Sequence, residues 1–340
     1  MAALRAHTKM SDVANLAGVS VGTVSNYFNR PEKVSEERRR RVAAAVDQLG
    51  FVPNALARAF ARGDRLVVGL VILDFNNPFF SEAARGLGDR LTAEGIMLTV
   101  SSSDEDPDRE TACIKLLEEH SVAGLVITPS NPSLRPLERM TERGTPAVLL
   151  GRRQPVEGGW CAVTGDDSLG GAIIARHLLE LGHRRVAYMN GRGSTRLLDA
   201  RHEGVRTSIE AAGASFAEIV TSNMTVAGGE QGTHAFLHLT DRPTALVCGN
   251  DLLALGALRV LQERRLRVPE DVALVGYDDV DFARSLGVPL TTVRHDKYAL
   301  GYQAGELLLK EIGERDTHEH SEILLPPELI VRTSTAGADQ

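Results

Sequence analysis

Side chains capable of covalent chemistry occur in this 340-residue chain, but not at the spacings that such chemistry uses. Ten histidines are scattered without an HExxH or comparable metal-binding pattern, and Cys113, Cys161 and Cys248 lie far apart in apolar contexts. No phosphate-cradling glycine loop or nucleophile–base pair is legible, and the neighbouring carboxylates of Asp278 and Asp279 close a strand and should face apart. The expectation is therefore no catalytic residue, no metal site and no cofactor, with the cysteines as small buried core residues in a reducing cytoplasm. The chemistry that the spacing does support is DNA recognition, within residues 7–62. Val13, Ala14, Leu16 and Ala17 recur at helical spacing, Gly18 turns easily, and Ser20 is a good N-cap for a second helix. Val24, Tyr27 and Phe28 repeat the apolar spacing. Two short helices can thus share one small core and leave the exposed face of the second free for a major groove.

Charge is divided in the same sense. Residues 1–65 hold 11 Lys and Arg against 6 Asp and Glu, whereas the other 275 hold 27 against 39. A basic end can hold phosphates while an acidic body discourages loose adhesion to nucleic acid. Part of the run Arg38-Arg39-Arg40-Arg41 reads as a solvated helix face. No apolar run approaches the roughly 18 residues of a membrane helix, and the N-terminus lacks the apolar stretch of a secretory signal. A cytoplasmic, nucleoid-associated protein with no membrane partner is expected.

From residue 66 short apolar runs alternate with amphipathic stretches. The strand candidates are 66–73, 96–101, 124–128, 147–150, 161–163, 185–190, 245–248, 272–277 and 291–294, with helices between them, for example at 79–94, 108–120, 168–181, 201–212, 252–265 and 300–312. Continuous Val, Ile and Leu strands alternating with helices imply parallel sheets covered on both faces. Some nine strands are too many for one comfortable sheet of this kind. Two α/β lobes are expected, with ligands at the carboxyl ends of the strands in the cleft between them.

The run Asp12-Val13-Ala14, Ala17-Gly18-Val19-Ser20, Gly22-Thr23-Val24-Ser25 and Asn29 resembles the headpiece of the lactose/galactose repressor (LacI/GalR) family. Val34-Ser35-Glu36-Glu37, Leu49-Gly50-Phe51 and Pro53-Asn54-Ala55 extend that resemblance through a third helix and linker. It covers essentially the whole chain. It implies an all-α helix-turn-helix headpiece at 1–52, a hinge helix or linker at 53–65, and a two-lobed body resembling periplasmic binding proteins at 66–340. The N-lobe would be about 66–164 plus 295–324, and the C-lobe about 165–294 plus 325–340. The tail, residues 332–340, has no leucine heptad, so the C-terminal coiled coil of one family branch is not expected.

In the family, residues at the start of the second helix read base edges; here these are Val21, Gly22 and Asn26. Asn26 can make two hydrogen bonds to adenine, Val21 can touch a thymine methyl, and Gly22 offers only its backbone. Relatives with long polar side chains there have more direct readout. Thr23 and Ser25 are expected on phosphates, with Ser11 and Ser20 as caps that also reach them and Asn29 beside them. In the linker, Asn54, Ala57 and Arg58 fall on the DNA-binding segment, and Phe60 matches the leucine that wedges into the minor groove in family members. The alternative for Phe60 is packing on the headpiece or body. A dimer and a pseudo-palindromic double-stranded operator follow from the same resemblance.

The resemblance sends a small effector to Arg201, Asn250 and Asp278, where a guanidinium and a carboxylate suit the vicinal hydroxyls of a sugar. Phe79 and Phe80 go to the N-lobe side of the cleft, where a ring can stack on a sugar or base, unless one of them is a core residue. Thr195, Leu197 and Met224 line the same region, Met224 where several relatives carry an aromatic residue, and Gly151 stands where Asp is common. Asp251 and Asp279 suit an ion pair or helix cap better, and Asp166 and His183 read as structural. The expected function is a transcriptional repressor gated by a sugar or sugar derivative. The alternatives are a solute-binding protein of transport and, with less support, an enzyme of sugars or nucleotides.

Overall fold

The computed structural model describes residues 8–51, 67–131, 133–153, 159–191, 196–314 and 317–336, with backbone alone at 196–199. Its contacts divide the chain into Met1–Arg65 and Leu66–Gln340. The expected hinge helix lies outside the described residues.

The first unit holds α1 (Met10–Ala17), α2 (Val21–Asn29) and α3 (Glu36–Leu49), with a 3₁₀ turn at Pro31–Lys33. Gly18 ends α1 in the left-handed region at φ 60°, where a side chain would be strained. Ser20 opens α2, its Oγ accepting from the Thr23 amide at 3.1 Å. Val13, Ala14, Ala17, Val24, Val42, Ala45 and Phe51 form the core, flanked by Tyr27 and Phe28. Two expectations need correction. Leu16 is 46% exposed, because Val13, Ala14 and Ala17 already span the inward face of a two-turn helix and position 16 falls to its side. Ser11 is no cap: it lies in the first turn of α1, and the cap position belongs to Lys9, whose amide donates to Asp12 Oδ2. Of the four consecutive arginines, Arg41 is structural, donating to the carbonyls of Ala17 and Gly18 left open at the end of α1.

The second unit contains β1 (Val67–Ile72), α4 (Pro78–Thr92), β2 (Met97–Ser102), α5 (Pro107–Glu119), β3 (Gly124–Ile127), α6 (Arg135–Glu142), β4 (Ala147–Leu150) and β5 (Cys161–Gly165). It continues with α7 (Asp167–Glu180), β6 (Arg185–Gly191), α8 (Arg196–Ala211), β7 (Ser215–Thr221), α9 (Val226–Leu237), β8 (Ala245–Cys248), α10 (Asp251–Glu263) and β9 (Ala273–Val275). The last elements are β10 (Thr292–Arg294), α11 (Lys297–Gly313), β11 (Glu322–Leu325) and β12 (Glu328–Ile330). A six-stranded parallel sheet has the order β11-β5-β4-β3-β1-β2, and a four-stranded parallel sheet the order β7-β6-β8-β9; β10 and β12 pair antiparallel. The two-lobed parallel α/β architecture is thus the expected one.

Both faces of each sheet are covered. Val68, Leu70 and Ile72 of β1 point into one apolar cluster and Val71 into another, which is why the strand reads as an unbroken apolar run. Three strands escaped the sequence reading. β7 and β11 are edge strands with half-buried, mixed residues, and β12 exists only through its pairing with β10.

The chain passes between the lobes three times, after Gly165, between Arg294 and Lys297, and between Leu325 and Glu328. Three helix pairs close on reciprocal glycines. A Cβ on Gly86 of α4 would lie 2.1 Å from the Tyr298 carbonyl, and one on Gly301 of α11 1.8 Å from that of Ala83. Gly171 of α7 and Gly204 of α8 meet the carbonyls of Arg201 and Ser168 in the same way, as do Gly229 of α9 and Gly256 of α10 those of Leu253 and Val226. Backbones this close leave no room for any side chain at these positions.

Candidate functional site

The carboxyl ends of the body strands converge on one cleft between the lobes, of about 840 Å³ counting its mouth. That volume suits a ligand of drug or sugar size. The residues follow the strands in turn: Asp74 after β1, Glu105 after β2, Thr128 and Ser130 after β3, and Gly151 after β4. Gly165 closes β5 and Asp167 opens α7, and Met224, Asn250, Asp278 and His295 follow β7 to β10. The doubly wound topology produces this arrangement, since every strand of a parallel sheet ends on the same side.

At the centre of the C-lobe wall, Arg201 donates to Asp167 Oδ1 at 2.9 and 3.2 Å and to the carbonyl of Gly249, with its guanidinium 3.2 Å from the centroid of the Tyr277 ring. The Tyr277 hydroxyl meets His295 Nε2 at 3.0 Å, and the same nitrogen lies 3.6 Å from Asp167. Burial works to raise the Asp167 carboxyl, but Arg201 and His295 together hold it below the usual range. The sequence expects Arg201 and Asp278 both on the ligand; in the structure Arg201 also has a buried partner, Asp167, to which the sequence reading gave no role.

Asp278 stands apart, at φ 104°, and Asp279 follows it at φ 47°. Lys297 Nζ donates to both of their carbonyls, at 2.9 and 3.0 Å, and holds the two residues in this uncommon backbone region. Asn77 Nδ2 approaches Asp278 Oδ2 from the N-lobe at 3.5 Å. Burial raises the Asp278 carboxyl against the opposing pull of Arg201 and Lys297. Asp279 faces away, toward Arg294 at 2.8 Å and Arg332 at 2.6 Å, an ion pair as expected. Asp251 is neither a cap nor a surface ion pair. It is buried, accepts from the Val280 amide and the Thr292 hydroxyl, and is pushed up to about 8 by burial and by Asp278.

Of the other residues expected in the cleft, Phe79, Phe80 and Met224 line it. Phe80 is 5% exposed and belongs to the N-lobe core, whereas Phe79 is half-buried, its ring edge-on to Phe80 at 5.2 Å. Asn250 lines the cleft but spends its amide on structure: Oδ1 caps α10 at the Leu253 amide, and Nδ2 donates to the Met224 carbonyl. Leu197 lies in α8 with only its backbone described, and Thr195 lies outside the described residues. Asp166 caps α7 through the Leu169 amide, and His183 meets the Thr244 hydroxyl at 2.8 Å, both structural as expected.

Among the described residues, Thr128 Oγ1 and His295 Nδ1 of the cleft are buried without a hydrogen-bond partner. Glu105 and Asp74 form an acidic pair in which burial and the Asp74 charge push Glu105 up to about 7, opposed by the Met224 amide of the other lobe. The sequence reading missed Asp74, Asn77, Glu105, Thr128, Ser130, Asp167 and His295. The available signal was a polar residue just after an apolar strand, and for Asn77 its place before Pro78 at a helix start.

In the headpiece, Val21 and Gly22 are exposed at the start of α2, and Asn26 is half-exposed one turn later on the same helix. The Thr23 hydroxyl is 2.9 Å from Ser20 Oγ, and Asn29 Nδ2 donates to Ser25 Oγ at 3.3 Å. Asn54, Ala57, Arg58 and Phe60 lie outside the described residues.

Residues 9–54 match the model of bacterial regulatory proteins of the lacI family, and residues 175–335 that of a periplasmic binding protein-like domain. The HTH-type transcriptional regulator DegA of Bacillus subtilis is 31% identical over 335 residues, 97% of this chain and 98% of the relative. The chain belongs to the lacI family. The Lac repressor dimer bound to operator and the anti-inducer ONPF superposes with a TM-score of 0.82 at 27% identity, covering 97% of this chain and 99% of that one. A lacI-family regulator from Enterococcus faecium with bound ribose gives 0.70 at 29% identity, covering 79% and 98%. This lacI-family member is a DNA-binding transcriptional regulator. No helix among the described residues is long and apolar enough to cross a membrane.

Proposed function

We propose that this regulator is a homodimeric repressor that binds a pseudo-palindromic operator, and that a carbohydrate seated between the lobes sets its affinity for DNA. The observation that carries this reading is the cleft itself. It places the half-buried ring of Phe79 with Asp278, Thr128 and His295, polar groups of which the last two retain an unused buried atom. A polyhydroxylated ring offers an apolar face to an aromatic side chain and hydroxyls that both donate and accept, so one ligand class satisfies all of these groups. The ribose bound by the Enterococcus faecium regulator supports a sugar, and the operator-bound Lac repressor dimer supports a dimer on DNA.

Gating needs only that the ligand prefer one lobe arrangement. Asn77 with Asp278 and Glu105 with the Met224 amide already reach across the cleft, so a ligand competing for these groups changes how the lobes meet. On the DNA side, Val21, Gly22 and Asn26 read base edges. Thr23, Ser25 and Asn29 serve the phosphates, and the linker residues Asn54, Ala57, Arg58 and Phe60 engage the minor groove. The role is regulatory rather than catalytic, exercised on the nucleoid in the cytoplasm.

Fluorescence anisotropy with labelled DNA from upstream of its own and adjacent genes, in excess competitor DNA, tests this reading. Sugars, sugar phosphates and nucleobases are titrated in turn. Competitor-resistant binding that one sugar shifts, and that Phe79→Ala or Asp278→Asn makes insensitive to that sugar, is the expected result. A shift produced by a nucleobase and by no sugar would reject the carbohydrate.

A further inference from the structure

Four metal-ligating side chains gather at the far end of β5 from the cleft. Cys161 is the first residue of that strand, whereas Gly165, its last, lines the cleft. Against Cys161 lie Glu311, in the last turn of α11, and His318 and His320, in the segment that leads into β11. One donor atom from each lies within 4.8 Å of every other. Cys161 Sγ is 3.1 Å from His318 Nε2 and 3.9 Å from His320 Nδ1, and His318 Nε2 is 3.9 Å from Glu311 Oε2. Tetrahedral zinc, with bonds of roughly 2.0–2.3 Å, holds neighbouring donors about 3.3–3.8 Å apart, within the spread seen here.

Two further observations suit these side chains to a bound cation. Among the described residues no group donates a hydrogen bond to the buried Glu311 Oε2, an arrangement that native interiors avoid unless the atom serves something else. The donors are also held on rigid backbone. β11 pairs with β5 in the register Glu322 to Ala162, and the Ser321 amide points at Cys161 Sγ from 3.4 Å, the contact that orients a thiolate ligand.

We propose that Cys161, Glu311, His318 and His320 form a four-coordinate site for a borderline divalent cation, zinc above all. A thiolate and a carboxylate neutralise a divalent charge, and the two imidazoles complete a set too hard for copper(I) and too soft for magnesium or calcium. All four positions are filled by protein, so the ion is structural and clips the α11–β11 connection to the start of β5. His320 is exposed and gives the ion its way in. The sequence gives no sign of such a set, because the donors are spread from position 161 to position 320 and the β5–β11 pairing brings them together.

The test is a titration of reduced, chelator-treated, tag-free full-length protein with cobalt(II). One equivalent should produce a near-ultraviolet thiolate-to-cobalt charge-transfer band with the intense visible bands of tetrahedral cobalt, and zinc should abolish both. Cys161→Ser should remove the charge-transfer band. His320→Ala, at an exposed position that leaves the core intact, should weaken affinity at least tenfold without changing operator binding. The absence of a charge-transfer band at one equivalent would overturn the site, as would a band that survives both substitutions and so marks an adventitious ion only.

Discussion

Arg201 illustrates how one residue can appear to be a ligand group yet act first as structure. It is 4% exposed, and its charge is answered by Asp167, itself 5% exposed. Removing one partner of such a pair strands the other charge away from water, at a cost of about 3–5 kcal/mol. Arg201→Ala should therefore lower stability in urea unfolding by that amount. Phe79→Ala, at the half-buried cleft ring, should instead weaken the sugar about tenfold with little change in the unfolding midpoint. Asp251 makes a second prediction, in pH. Its folded value of about 8 lies above the unfolded value of about 4, so between the two the folded state keeps a proton that the unfolded chain has lost. Stability is thus full below about pH 4 and declines as pH rises through 8. Melting temperatures measured from pH 5 to 9 should fall, and Asp251→Asn should flatten the curve. An equally steep fall in that variant would assign the proton elsewhere.

Elements position these residues through backbone contact rather than side-chain bulk. Gly171 of α7 lies where a Cβ would sit 2.2 Å from the carbonyl of Arg201, so α8 carries its arginine into the C-lobe wall only because α7 has no side chain there. Gly171→Ala must push the helices apart. Its expected signature is loss of effector response together with a lower melting temperature, whereas Gly88→Ala, in α4 with only an ordinary van der Waals contact to Leu98, should leave both intact. In the headpiece the local interaction is a cap. Ser20→Ala should destabilise α2 by about 1 kcal/mol and weaken operator binding, read by hydrogen exchange of α2 amides, because Ser20 Oγ holds the Thr23 amide.

At the scale of the molecule, the headpiece core and the four apolar clusters of the body share no residue. A headpiece whose core is seven buried side chains is marginal by itself. Calorimetry of the DNA-free protein should therefore show two transitions, with Val24→Ala shifting only the lower one. A single transition moved as a whole by that substitution would refute this. Linkage sets a further constraint. If a sugar changes operator affinity by some factor, operator DNA must change the affinity for that sugar by the same factor, whichever direction the effect takes.

Local periodicity in the sequence determined the helix-turn-helix, the alternation of strands and helices, the charge division and the two-lobed parallel class. Each of these depends on residues near one another along the chain: Gly18 and Ser20 at the turn, Val68 to Ile72 in a doubly covered strand. The resemblance added Arg201, Asn250, Asp278 and the Phe79–Phe80 pair as site residues, and all of them line the cleft. What each side chain does there was settled only by tertiary structure. Arg201 turns to Asp167, Asn250 caps α10 and holds the Met224 carbonyl, and His295 and Thr128 carry the unused polar atoms. The same holds for the Cys161 cluster, whose members come from one strand, one helix end and one loop. Hydrophobic period is written in each element separately, whereas a hydrogen bond or a ligand set depends on which elements meet, and parallel sheet order decides that across more than a hundred residues.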